Sequence, residues 1–229
     1  MKATETTPKK EHPSQAETPS AKPRFRGTLH LAAFVVSCVV GAIFVAYTPS
    51  SRVLPAAVFA ASATTMLGLS ALYHRVTWKP AARLWMRRAD HAGIFLLIAG
   101  TYTPVALIGL HGAWRVTILT VVWTGAVCAT LLKLCWVHAP KWLAALIGLA
   151  LGWAGVAALP QLAHHSGITA VVLLAAGGLA YSLGAVTYAL RRPDPFPTLF
   201  GYHEVFHALT IVALACHYVA VAFFVVRVA

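Results

Sequence analysis

Two short stretches carry histidine one helical turn from a second group able to do chemistry. SALYH at 70–74 sets Ser70 before His74, and HEVFH at 203–207 sets His203 before His207. A four-residue step puts both members of each pair on one helix face. A third stretch, RRADHAGIF at 87–95, holds Asp90. Three imidazoles beside a carboxylate suit zinc, which takes histidine nitrogens at about 2.0–2.1 Å and, with three protein ligands, keeps a fourth position for water. Zinc would lower the pKa of that water toward ~7 and polarise a carbonyl. Asp90 could then orient or deprotonate the water. Ser70 could hydrogen-bond the carboxylate, the water or a developing oxyanion. Taken singly, each piece has a plainer reading: Ser-x3-His is a common interfacial pair, and Asp90 fits a helix N-cap.

HEVFH also satisfies HExxH, in which the glutamate is the base of a metalloprotease. The pattern is short, and Glu204 could instead face the interface or pair with a loop arginine. His217, ten residues past His207, lies about 15 Å farther along a helix. It cannot join the same coordination sphere, but could line a cavity or bond a neighbouring helix. His91 points to a different face from Asp90. His30, His111, His138, His164 and His165 fall in loops or at span ends, where a solvated histidine is the default. In GTYTP at 100–104, Pro104 removes a backbone donor and predicts a kink. Tyr102 beside it is read as structural rather than as a ligand contact.

These residues must be positioned by membrane-spanning helices. Of 229 residues, 59% are hydrophobic and only 10% are charged, whereas soluble domains carry roughly 25% charged residues. So little charge cannot cover a water-facing surface. The excess of 18 Lys and Arg over 6 Asp and Glu clusters between apolar runs rather than on one face, which argues against nucleic acid as a partner. The four cysteines form no CxxC pair and read as small buried hydrophobes.

Residues 1–26 are polar and proline-containing and predict a disordered basic tail. They lack the short basic start and apolar core of a signal peptide, so the first apolar run is expected to stay as a membrane anchor. Apolar windows of about 20 residues place spans near 28–47, 53–74, 89–110, 114–134, 141–159, 167–189 and 203–227. The expected fold is therefore all-α, a seven-helix membrane domain over 27–229. Six basic residues in the tail, five from Arg75 to Arg88, Lys133, Lys141, Arg191 and Arg192 fall on one side; Arg52, Arg115 and Arg227 fall on the other. Positive loops stay in the cytoplasm, which predicts an N-terminus inside and a C-terminus outside. The second span then ends inside, and the third and seventh begin there. Ser70, His74, Asp90, His203 and His207 thus share one depth on three helices. Glycines 148, 152, 155, 177, 178 and 184 predict close helix contacts in the fifth and sixth spans.

At SALYH (70–74), RADHAGIFLLIAGTYTP (88–104) and HEVFHALTIVALACHY (203–218) the chain resembles the hemolysin III family, the bacterial branch of the progestin and adipoQ receptor group, from about residue 26 onward. The resemblance implies zinc near the cytoplasmic side of the cell membrane, held by His74, His203 and His207. It also implies a carboxylate, Asp90, near the zinc-bound water, and a serine, Ser70, beside it. The family signature tolerates a glutamate after the first histidine of HxxxH, which weakens the protease reading. Receptor members resemble alkaline ceramidases in site design, implying hydrolysis of a lipid amide or ester that reaches the site laterally from the membrane. The bacterial branch is named for haemolytic activity, so a non-catalytic sensor, transport-related protein or lytic factor with structural zinc stands as the competing expectation.

Overall fold

Apolar runs in lipid must satisfy every backbone N–H and C=O internally, and a helix does so within one segment. The structure, a computed structural model, describes residues 23–136 and 138–227. It contains α1 (Thr28–Ala46), α2 (Val53–Arg75), α3 (Pro80–Gly109), α4 (Gly112–Cys135), α5 (Lys141–Gly152), α6 (Leu159–Leu190) and α7 (Tyr202–Val219), the last continued by a π-helical segment, Ala220–Val225. Among the described residues no strand forms, only one isolated bridge between Phe196 and Phe200. Six helical stretches are long and apolar enough to cross a membrane. The chain is an all-α, multi-pass membrane bundle.

Most observed limits lie within a few residues of those read from hydropathy. The exceptions have physical causes. Helix α3 begins at Pro80, nine residues before the expected span, because proline fits the first turn of a helix and the charged AARLWMRRAD segment is helix-forming without being apolar. The run expected to hold the fifth and sixth spans is one apolar stretch, Trp142–Leu190, interrupted twice. Helix α5 ends after 12 residues at Gly152, and α6 is broken at Gly167, whose φ of 79° belongs to the left-handed region open to glycine. Helix α3 runs on through Pro104.

Helix α2 packs against both α1 and α3, α4 lies on α3, and α6 lies on α7. The α2–α3 seam is close: a Cβ on Gly100 would overlap the Ser62 side chain, and one on Gly93 would stand 3.2 Å from the Met66 Cα. Core side chains such as Phe59, Leu67, Leu110 and Leu162 are fully buried. This packing sets the start of α1, the end of α2, the first third of α3 and the start of α7 side by side at one end of the bundle.

Residues 1–22 of the expected tail lie outside the described residues. From Pro23 onward the chain is tied down: the Arg24 and Phe25 amides donate to the Thr198 and Leu199 carbonyls at 3.1 and 3.2 Å. The segment just before α1 thereby crosses the loop that precedes α7.

Candidate metal centre

The first turn of α7 is built before its histidines are. A helix start leaves backbone N–H groups unpaired. Here the Tyr202 amide donates to Asp194 Oδ1 at 2.8 Å, and the Gly201 amide to Glu204 Oε2 at 2.9 Å. Glu204 adds negative charge where the helix dipole favours it, and its other oxygen accepts from Arg26 Nε. With 1% of its surface exposed, Glu204 is committed to Arg26 and the helix start. Of the openings left by the sequence, pairing with an arginine just outside a span is the one observed.

On the face of α7 beyond this cap, His203 and His207 meet His74 from the last turn of α2. One ligand nitrogen or more from each residue lies within 4.8 Å of the others, and His203 Nε2 stands 3.1 Å from His74 Nε2. Nitrogens bound tetrahedrally to one zinc would lie roughly 3.4 Å apart, from bonds of about 2.0–2.1 Å. His207 Nδ1 is buried with no hydrogen-bond partner. Nitrogens already at near-ligand spacing, one histidine holding an orphaned ring nitrogen, fit a metal better than a purely protein network, so the three residues could hold an ion. Asp90 lies alongside, its Oδ2 3.8 Å from His74 Nε2. The expected residues of α2, α3 and α7 are therefore brought together.

Two participants were not expected. His30, read as a solvated histidine at a span end, is 2% exposed. Its ring stacks on His207 with centroids 3.7 Å apart and planes 6° from parallel, and its Nδ1 is 2.8 Å from Ser70 Oγ. The Ser70 hydroxyl is thus engaged with His30. The signal was present: His30 opens the first span, which the charge count places on the same side as the other histidines. The second is the Arg26–Gly27 junction. Gly27 has φ 79°, and a Cβ there would fall 2.5 Å from the His74 Cβ, so only glycine lets this segment lie directly on the ligand helix.

A cavity of about 380 Å³ opens from this cluster into the bundle. Asp90, His74 and His207 line one end; Ile98, Val105 and Leu162 continue it as an apolar channel. Tyr102 borders it, but its hydroxyl is taken: it donates to the Gly152 carbonyl at 2.6 Å and accepts from the Gly155 amide at 3.1 Å, pinning the end of α5 to α3. The glycines divide. Gly155, Gly177, Gly178 and Gly184 lie in close contact with Tyr102, His217, Trp153 and Phe206 respectively, whereas Gly148 and Gly152, on the cavity wall, meet nothing within 4 Å.

Comparison with known proteins agrees with this architecture. Residues 20–218 match the family described as Haemolysin-III related. The chain belongs to the haemolysin-III related family. It is 30% identical over 171 residues to the Hemolysin-3 homolog of Bacillus subtilis (strain 168), covering 75% of this chain and 77% of that one. Against Hemolysin-3 of Bacillus cereus it is 31% identical over 180 residues, 79% of each chain. It is 32% identical over 185 residues to Heptahelical transmembrane protein ADIPOR2 of Oryza sativa subsp. japonica, spanning 73% of this chain and 80% of the plant protein. The histidine cluster of this haemolysin-III related chain lies inside the matched region.

Proposed function

We propose that this haemolysin-III related protein is a zinc-dependent hydrolase of lipid amides or esters in the plasma membrane, with its site near the cytoplasmic face. The observation that carries the reading is the cavity: an apolar channel that begins at His74, His207 and Asp90 gives an acyl chain a place to lie with its carbonyl at the polar end. A purely structural metal would need no such channel. His74, His203 and His207 would hold the zinc, which when bound supplies Lewis acidity toward a carbonyl and toward water.

The chain's own groups do the rest. Asp90 takes a proton from the attacking water at Oδ2 as the new carbon–oxygen bond forms. It returns that proton to the departing amine or alcohol as the old carbon–nitrogen or carbon–oxygen bond breaks. Ser70, steadied by His30, donates toward the developing oxyanion. Glu204 is held by Arg26 and the helix start, which speaks against a base of the HExxH protease type.

Seven crossings are favoured by parity. Helix α4 ends and α7 begins at the histidine end, so the chain between them must leave that end and return. Helix α5 with the start of α6 would supply the outward leg, and the remainder of α6 the return. The bias of Lys and Arg toward that end supports an inside location for it.

The test is metal content and turnover of ceramide and simpler acyl amides by purified wild type, His207→Ala and Asp90→Ala. Zinc lost only in the histidine variant, with turnover lost in both, is the expected result. Wild type that holds zinc and turns over none of these lipids would leave a structural metal in a sensor, transport-related or cytolytic protein. Wild type purified metal-free without chelators would remove the site.

A further inference from the structure

Deep in the same cavity, far from the histidine cluster, two side chains keep polar atoms unsatisfied. His217 on α7 sets Nε2 3.1 Å from the Leu174 carbonyl of α6. A carbonyl only accepts, so Nε2 carries the proton and Nδ1 of the neutral ring is a bare acceptor. That Nδ1 is buried with no partner, and so is the hydroxyl of Tyr181. The two rings meet edge to face with centroids 5.4 Å apart, and both residues line the cavity. The placement is built in: Leu174, Gly177 and Tyr181 recur along one face of α6, and a Cβ on Gly177 would overlap the His217 ring. Within a bilayer no bulk water competes for such atoms, so leaving them unpaired is costly.

We propose that Tyr181 and His217 form a second polar subsite that binds a hydroxyl group on the chain of the lipid ligand. A chain hydroxyl seated between the two rings would meet both needs, donating to His217 Nδ1 and accepting from the Tyr181 hydroxyl. His217 follows His207 by ten helical residues, about 15 Å, so the group recognised lies near the middle of a long chain whose carbonyl is at the histidine cluster. The subsite selects hydroxylated acyl chains over plain ones. It rests on the reading of the cavity as a lipid site, and it leaves the chemistry at Asp90 unchanged.

The experiment is displacement of a fluorescent fatty acid from the purified full-length protein by stearic acid and by a hydroxystearic acid carrying its hydroxyl near mid-chain. Wild type should bind the hydroxylated chain roughly tenfold more tightly, the effect of one or two net hydrogen bonds. Tyr181→Phe, which keeps the ring, should cut that ratio to about threefold or less. His217→Leu in addition should abolish it, in a measurement that reads binding rather than turnover. Equal affinity of wild type for the two acids would overturn the subsite and leave the lipid site standing, as when a trapped water satisfies both atoms. A preference left at roughly tenfold in Tyr181→Phe would also overturn it. Failure of both acids to displace the probe would remove the lipid reading of the cavity together with the subsite.

Discussion

The histidine end of the cavity and its α5 wall are built in opposite ways. At the histidine end the groups that support the cluster are paired: Glu204 holds Arg26 and the Gly201 amide, His30 holds Ser70, and Gly27 lets the segment before α1 lie against His74. Along the α5 wall the helix is only 12 residues long, Gly148 and Gly152 face open space, and two side-chain anchors stand out, the Tyr102 hydroxyl and the Trp153 indole bonded to Ser182 at 3.0 Å. A tightly braced end keeps side chains at fixed spacing, which metal chemistry requires. A short, loosely packed wall beside an apolar channel is where a lipid could enter from the bilayer. The contrast teaches that tight and loose packing fall to different helices.

Substitutions at the two ends should break or sharpen that contrast. The largest effect is expected from His207→Ala: metal affinity should fall by more than about a hundredfold, read as zinc per protein after dialysis, and turnover should drop to background. Asp90→Asn should lower turnover by roughly 10²- to 10⁴-fold with zinc content unchanged, separating proton transfer from metal binding. Glu204→Gln should lower stability by about 2–3 kcal/mol, somewhat less than for a fully buried pair because Arg26 is partly exposed. Its measure is the thermal midpoint in detergent.

The most direct comparison is one substitution at two glycines. Gly27→Ala puts a side chain into a left-handed backbone against His74 and should destabilise by about 1–3 kcal/mol, with weaker zinc retention. Gly148→Ala, inside α5 with nothing within 4 Å, should instead stabilise by about 0.5–1 kcal/mol. Thermal unfolding of the two variants side by side reads both signs. Equal effects would mean that the α5 wall is packed as tightly as the histidine end.

Residue order alone determined the membrane class, the approximate limits of most helices, and the meeting of His74, Asp90, His203 and His207. Long apolar runs dictate helices in lipid, and successive crossings end on alternate faces, so depth can be counted along the chain. What depth cannot supply is azimuth. That His30 turns inward onto His207, that Glu204 faces Arg26 rather than the histidines, that Gly148 borders a cavity while Gly177 abuts His217, and that α5 stops at Gly152 all depend on how helices rotate and pack about one another. Rotation is settled by contacts between residues far apart in the chain, such as Arg26 with Glu204. Only the tertiary structure decides it, because no local pattern in either segment records its partner.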